Sequence, residues 1–261
     1  MIIKSSVIMI TKNSAGVLER ALKSVERLFD ELLVGDGGSR DGTVEMVKRY
    51  GGTVIPQKPE TALGVRKQEL VERAKGDWIL VLDADERVSK ELKEEIKRLK
   101  VSKRRLCNAY KIPYQNYVFG GPVQYGGEKY AKVRLFRKGY GRISPEALHE
   151  EVRVVGPTSL KLRGVKEIGE FRGKIHHHSY RTPWQLLAKF TRYAWIAARQ
   201  TKWQGETLSF TKLFLYGPHM FWSRFVKEQG YKDGWRGLVL AIAFGYMEGM
   251  TYWFALLGNF L

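Results

Sequence analysis

Cysteine is almost absent from this chain of 261 residues. Cys107 stands alone, which excludes an intramolecular disulfide framework and suits a reducing compartment. Carboxylates are scarce relative to basic groups: 45 lysines and arginines face 27 aspartates and glutamates, and the formal charge of +18 points to an anionic partner or surface. No recognised nucleic-acid-binding motif accompanies that charge, so nucleic acid is not the expected partner. The amino terminus enters a strand pattern almost at once, without a basic, apolar and small-residue signal, so secretion is not expected. Neither G-x-G-x-x-G nor G-x-x-x-x-G-K-S/T occurs at a strand-to-helix turn, and the phosphate-gripping loops of dehydrogenases and P-loop enzymes are therefore missing.

What is present begins with Val81-Leu82-Asp83-Ala84-Asp85-Glu86-Arg87, two carboxylates one residue apart after the apolar run 77–82. A nearly unbroken apolar run of that length reads as a short strand covered on both faces. Its carboxyl end is the edge where open α/β sheets bind ligands, and hard oxygen donors there suit Mg²⁺ or Mn²⁺ carrying a phosphorylated substrate. The alternative is that Asp83 and Asp85 cap the helix expected over 89–100.

Upstream, Leu32-Leu33-Val34-Gly35-Asp36-Gly37-Gly38-Ser39-Arg40-Asp41-Gly42-Thr43 is a second apolar strand running into a Gly/Ser/Asp loop, whose glycines permit close backbone approach. Before it, Ser6-Val7-Ile8-Met9-Ile10-Thr11-Lys12-Asn13 reads as a first strand, and Val17, Leu18, Ala21, Leu22 and Val25 keep amphipathic helical spacing. With a helix over 44–50, a strand over 53–55 and a helix over 63–74, the metal strand is the fourth. This alternation predicts an α/β fold with a mainly parallel, Rossmann-like sheet and right-handed crossovers.

Thr11-Lys12-Asn13, the 34–43 loop and Gly76-Asp77-Trp78-Ile79-Leu80-Val81-Leu82-Asp83-Ala84-Asp85-Glu86-Arg87 resemble the successive motifs of family 2 glycosyltransferases with the GT-A fold. Within that family the chain is most similar to the branch containing lipopolysaccharide inner-core glucosyltransferases. The likeness is strong over residues 3 to about 100. It continues more loosely through Lys132-Val133-Arg134-Leu135-Phe136-Arg137, His149-Glu150, the 176–179 run and the aromatic tail.

The resemblance implies roles for individual residues. Thr11 and Asn13 line the nucleotide pocket, Asp36 accepts a hydrogen bond from the base, and Asp83 and Asp85 form the D-x-D pair, with Asp85 the direct metal ligand. Where relatives begin the third helix with a basic residue and Asn, this chain has Lys67-Gln68 preceded by Arg66, leaving the diphosphate contact open between Arg66 and Lys67. Two other departures are Ser14, where Glu is usual, and Gly35, where a β-branched residue is usual.

Inverting sugar transfer needs a carboxylate that takes the acceptor hydroxyl's proton while a metal neutralises the departing diphosphate. Glu150 falls where the resemblance puts an H-E pair and is the expected base, with Glu151 and Glu146 as competitors. His176-His177-His178 invites a zinc reading, but successive strand residues alternate between faces and at most two can converge on one ion. The family's H-x-S pattern instead implies His178 as a contact to diphosphate or metal.

The GT-A part is expected over residues 1–180 and a helical, aromatic and basic membrane-associating region over 181–261. A helix over 184–199 would gather Trp184, Leu187, Thr191, Ala194, Trp195 and Ala198 on one face, with Lys189, Arg192 and Arg199 on another. Further on, Phe221, Trp222, Phe225 and Trp235 interleave with Arg224, Lys227, Lys232 and Arg236. Rings beside cationic groups are the composition of a bilayer interface facing anionic lipid. Residues 237–261 are almost wholly apolar apart from Glu248 and Asn259. Because Glu248 is costly at mid-membrane, shallow insertion or a re-entrant hairpin is expected rather than a span.

The expected protein is an inverting glycosyltransferase dependent on Mn²⁺ or Mg²⁺. It would move a sugar from a UDP-linked donor to a lipid-linked or cell-envelope glycan at the cytoplasmic face of a membrane, as a peripheral or monotopic protein. Residues 110–130, rich in aromatics and glycine, would shape the acceptor side. A nucleotidyltransferase acting on a sugar phosphate, or a non-catalytic scaffold of the same fold, are the alternatives.

Overall fold

The computed structural model describes residues 4–102, 107–145, 151–155, 166–203 and 210–257. Its elements run β1 (Ser5–Thr11), α1 (Ala15–Val25), β2 (Glu31–Asp36), α2 (Thr43–Arg49), β3 (Thr53–Pro56), α3 (Leu63–Arg73), β4 (Trp78–Val81), β5 (Glu86–Val88) and α4 (Lys90–Val101). There follow β6 (Cys107–Val118), β7 (Gly121–Val123), β8 (Ala131–Arg137), β9 (Gly141–Ile143), β10 (Val152–Val154), β11 (Lys166–Glu170) and β12 (Ile175–Tyr180). The tail holds α5 (Pro183–Trp203), α6 (Phe210–Trp222), a π-helical turn (Ser223–Lys227), a 3₁₀ turn (Gly230–Asp233) and α7 (Trp235–Leu257). The chain divides into two compact units, residues 1–114 with 131–177, and residues 115–130 with 178–261.

In the first unit the sheet order is β3-β2-β1-β4-β8-β6. The first four strands are parallel, β8 is antiparallel to β4 and to β6, and β11 adds to β6 in parallel. The chain steps outward from β1 to β3 and then returns to the other side of β1 with β4. Such a reversal opens a crevice at the carboxyl ends of the two strands around it, here beyond Thr11 and Val81. β1 and β4 are covered on both faces: Val7, Ile8 and Met9 are buried, as are Trp78 to Val81, which explains their unbroken apolar runs. Leu70, Val71 and Ala74 of α3 pack with Ile8, Leu33, Ile55, Ile79, Val81 and Phe136 in one cluster.

Helix α4 begins where Ser89 caps it, its Oγ accepting from the Leu92 N–H at 3.2 Å. The short strand β5, paired antiparallel with β12, stands between the Asp83/Asp85 pair and that helix, so neither aspartate is its cap.

In the second unit, α5 buries Leu186, Phe190, Ala194 and Ala198, and packs with Val118, Val123 and Leu240. The apolar stripe expected on α5 is therefore split. Ala194 and Ala198 face the core, whereas Trp184 (78% exposed), Leu187 and Trp195 face outward. Residues 237–257 belong to a single continuous helix rather than a re-entrant hairpin. By length and composition that helix could cross a membrane. It meets α6 at two glycines: a Cβ on Gly217 would lie 3.0 Å from the Gly245 carbonyl oxygen, and one on Gly245 2.8 Å from that of Gly217. Small residues at a helix crossing let backbones approach in this way.

Segment 115–130 is tied to the helical tail by polar contacts. The amides of Gln124 and Tyr125 donate to Asp233 Oδ2 at 2.9 and 2.8 Å. Arg224 donates to the Gly126 carbonyl at 2.6 Å and to Glu128 at 3.1 Å.

Candidate active site

The crevice beyond β1, β2 and β4 gathers most of the residues singled out from the sequence. Asp36 ends β2, buried, and takes four hydrogen bonds from its own chain. Thr11 Oγ1 at 3.2 Å and Ser39 Oγ at 2.5 Å donate to Oδ1, while the Gly38 and Ser39 amides donate to Oδ2 at 2.9 and 2.8 Å. A carboxylate offers about four lone-pair sites, so Asp36 is saturated. Burial alone would raise its pKa, but these donors outweigh burial and hold it below the usual carboxylate range. Asn13, left-handed at φ 50°, pins the same loop: its amide donates to Ser39 Oγ at 2.8 Å and its Oδ1 accepts from the Arg40 amide at 2.9 Å.

Arg66 and Lys67, adjacent on α3, diverge to opposite tasks. Lys67, 1% exposed, forms a 2.7 Å ion pair with Asp83. Arg66, 7% exposed, turns toward the Asp36 loop, where a Cβ built on Gly37 would lie 3.2 Å from its Nη2. Nη2 is the one buried side-chain polar atom lacking a hydrogen-bond partner among the described residues. A buried donor left unpaired costs free energy, so this atom marks a place for an acceptor.

At the end of β4, Asp83 also faces Arg134 at 3.3 Å, and Arg134 reaches Glu86 at 3.4 Å. Arg134 Nε donates to the Tyr114 hydroxyl at 2.5 Å. Burial works against the Asp83 charge, but Lys67 and Arg134 overcome it and hold the carboxyl well below its ordinary range. Glu86 goes the other way, its pKa raised first by burial and then by the neighbouring Asp83 charge, against the pull of Arg134. The two carboxyls are thus pushed apart in acidity, Asp83 downward and Glu86 upward.

Asp85 Oδ2 lies 3.5 Å from His177 Nε2. His178 stacks on Tyr117 with ring centroids 4.5 Å apart. His176 has a pKa lowered by burial. Among the described residues, no group of three or more His, Cys, Asp or Glu side chains forms a complete metal cage. Asp85 with His177 supplies one oxygen and one nitrogen on one side, which fits a divalent cation whose other ligands are phosphate oxygens and water.

Glu150 lies outside the described residues, as does Glu146. Glu151 lines a cavity of about 270 Å³ together with Lys67, Lys111, Lys132 and Arg134. Four cationic side chains around one carboxylate make it a place for an anionic group or a polarised hydroxyl.

Sequence reasoning left Glu86, Tyr114, His177 and Gln57 without roles. His177 had a usable signal, since strand alternation sends it to the face opposite His176 and His178. Glu86, Tyr114 and Gln57 had none, because their charged partners, Arg134 for the first two and Arg66 for the third, are brought to them by other elements of the fold.

Residues 6–148 match the profile of Glycosyl transferase family 2. A glycosyltransferase of Rickettsia felis described as uncharacterized is 28% identical over 253 residues, covering 93% of this chain and 86% of the relative. The lipopolysaccharide core biosynthesis glycosyltransferase LpsC of Rhizobium meliloti is 25% identical over 256 residues, covering 95% and 88%. Among solved structures, S. aureus TarS gives a TM-score of 0.47 at 14% identity, over 88% of this chain and 45% of TarS. Glucosyl-3-phosphoglycerate synthase of Mycobacterium tuberculosis, crystallised with Mn²⁺, UDP and glucosyl-3-phosphoglycerate, gives 0.35 at 20% identity, over 43% and 44%. With more than half its length matched by the family profile and a mainly parallel sheet ending in the Asp36 loop and the Asp83-Ala84-Asp85 pair, the chain belongs to glycosyl transferase family 2.

Proposed function

We propose that this protein is an inverting glycosyltransferase that takes a sugar from a uridine-diphosphate donor and transfers it to a lipid-linked or cell-envelope glycan at the cytoplasmic face of a membrane. The observation that carries the donor assignment is the unpartnered Nη2 of Arg66 beside the Asp36 loop. A base carbonyl would satisfy that donor. The imide N–H of uracil would meet Asp36 once the Ser39 or Thr11 hydroxyl rotates away, since all four acceptor positions are otherwise taken. Thr11 and Asn13 hold that loop in place.

Asp85 and His177 are the residues that would hold Mn²⁺ or Mg²⁺, with Asp83 oriented by Lys67 toward the nucleotide and His178 kept as a candidate contact to the diphosphate. When bound, the cation supplies charge neutralisation for the departing diphosphate. Glu150 is the proposed base: the acceptor hydroxyl attacks the anomeric carbon, its proton passes to the carboxylate, and the bond to the diphosphate oxygen breaks with its electron pair. Glu151, in the cavity with Lys111 and Lys132, is the competing base.

Membrane attachment is supported by the outward-facing Trp184, Leu187 and Trp195 of α5 beside Arg192 and Arg199, and by the apolar length of α7. Residues 178–261 carry ten lysines and arginines against four acidic side chains, a balance suited to anionic headgroups.

Calorimetric titration of UDP, GDP and nucleotide sugars, with and without Mn²⁺, tests the reading. Uridine-nucleotide binding that requires metal and disappears in Asp85→Ala is the expected result. A folded protein that binds no nucleotide in the presence of metal would end it.

A further inference from the structure

Gly35 and Gln57 share one space in the wall of the nucleotide crevice. A Cβ built on Gly35 would stand 2.1 Å from Gln57 Oε1 and 2.7 Å from its Cδ. The Gln57 amide therefore occupies the volume that a side chain at residue 35 would fill, so any larger residue there must displace it. The amide is fixed on both sides. Its Nε2 donates to the Arg66 carbonyl at 2.9 Å and to Glu69 Oε2 at 2.8 Å, and its Oε1 accepts from Arg66 Nε at 3.3 Å. Gln57 itself is anchored next to Asp36, its amide N–H donating to the Asp36 carbonyl at 2.8 Å. A planar guanidinium held through Nε has its remaining nitrogens aimed, and here Nη2 comes to rest against Gly37 without a partner.

We infer that Gln57, seated in the space left by Gly35, is a positioning residue that aims Arg66 at a carbonyl oxygen of the donor's base, and so sets the preference for carbonyl-bearing bases such as uracil over adenine. This inference rests on the donor assignment above. Without the amide, Arg66 keeps its charge but loses the bond that fixes its plane, and a donor free to rotate gains less from a carbonyl. Only bases offering a carbonyl oxygen at that point lose affinity.

The test is calorimetric titration of the full chain with Mn²⁺, using UDP and ADP as probes, on the native protein, Gln57→Leu, Gly35→Ala and Arg66→Leu. Gln57→Leu preserves bulk while removing the amide, and loss of about one well-aligned hydrogen bond should weaken UDP about tenfold while leaving ADP unchanged. Gly35→Ala collides only with the end of a flexible side chain, so it should fold, displace Gln57 and lower the UDP-to-ADP ratio in the same way. If Gln57→Leu and Gly35→Ala keep the native ratio while Arg66→Leu loses it, the positioning role is overturned and the donor site stands. Equal weakening of both nucleotides also overturns it, since that is what general damage to the crevice would do. A native protein that binds neither nucleotide overturns the donor assignment and this inference together.

Discussion

Replacing Lys67 by methionine isolates the buried pair beneath the candidate metal carboxylates. Lys67 is fully enclosed and its ammonium lies 2.7 Å from an Asp83 carboxylate that is 30% exposed. Breaking a buried pair by removing one partner costs about 3–5 kcal/mol. Asp83 keeps Arg134 at 3.3 Å and partial solvent, so a cost at or just below the low end of that range, about 2–3 kcal/mol, is expected at neutral pH. The pH dependence follows from the depressed pKa of Asp83. Its stabilisation is complete above the unfolded value of about 3.9 and is lost as pH falls through the folded value, so the gap between native protein and Lys67→Met should shrink below about pH 4. Hydrogen exchange resolved to β1 and β4 reads the first unit separately from the helices, and about 2–3 kcal/mol corresponds to roughly 30- to 150-fold faster exchange in the most protected amides. Adding Asp83→Asn to Lys67→Met removes both charges and should recover most of the loss. Native exchange rates in Lys67→Met, or a double variant no more stable than the single one, would refute the pairing argument.

Glu86, 1% exposed, has a raised pKa, so the native state holds its proton more tightly than the unfolded chain does. Its contribution is greatest below about pH 4.3 and declines as pH rises toward the folded value. Glu86→Gln retains an acceptor for the Asp83 amide, 2.9 Å away, and should gain on the native protein as pH rises above about 4.3 in the same exchange measurement; a constant difference would contradict the shift. At the other end of the chain, Trp184→Ala with Trp195→Ala removes two outward-facing rings from α5. Sedimentation with vesicles containing anionic lipid should show weaker binding with the fold unchanged, and undiminished binding would remove α5 from the membrane surface.

The alternation of apolar runs and amphipathic spacings up to residue 101 made the parallel strands and their helices readable, because each is a local pattern imposed by burial on both faces of β1 and β4. The acidic strand ends were readable for the same reason: Asp36 and Asp83 stand where an apolar run stops. The partners of those carboxylates were not. Lys67 and Arg66 look interchangeable in sequence, and only the rotation of α3 over the sheet sends one to Asp83 and the other to Gly37. The opposite carboxyl shifts at Glu86 and Asp83, three residues apart, likewise depend on the tertiary fold: burial raises Glu86, whereas Lys67 from α3 and Arg134 from β8 lower Asp83.

In the tail, periodicity identified α5 but not which of its apolar residues are buried. The expected stripe was split, because the choice between Leu186/Phe190 and the tryptophans as core was made by what α7 and the 115–130 segment offered as packing partners. That segment joins the helices through Asp233 and Arg224, residues far along the chain. The sequence by itself therefore determined the family, the sheet and the position of the acidic site, since local hydrophobic pattern and short motifs encode them. Only the tertiary structure decided which charges pair, which histidine meets Asp85 and which face of α5 stays outside, because those depend on distances between elements that no local pattern records.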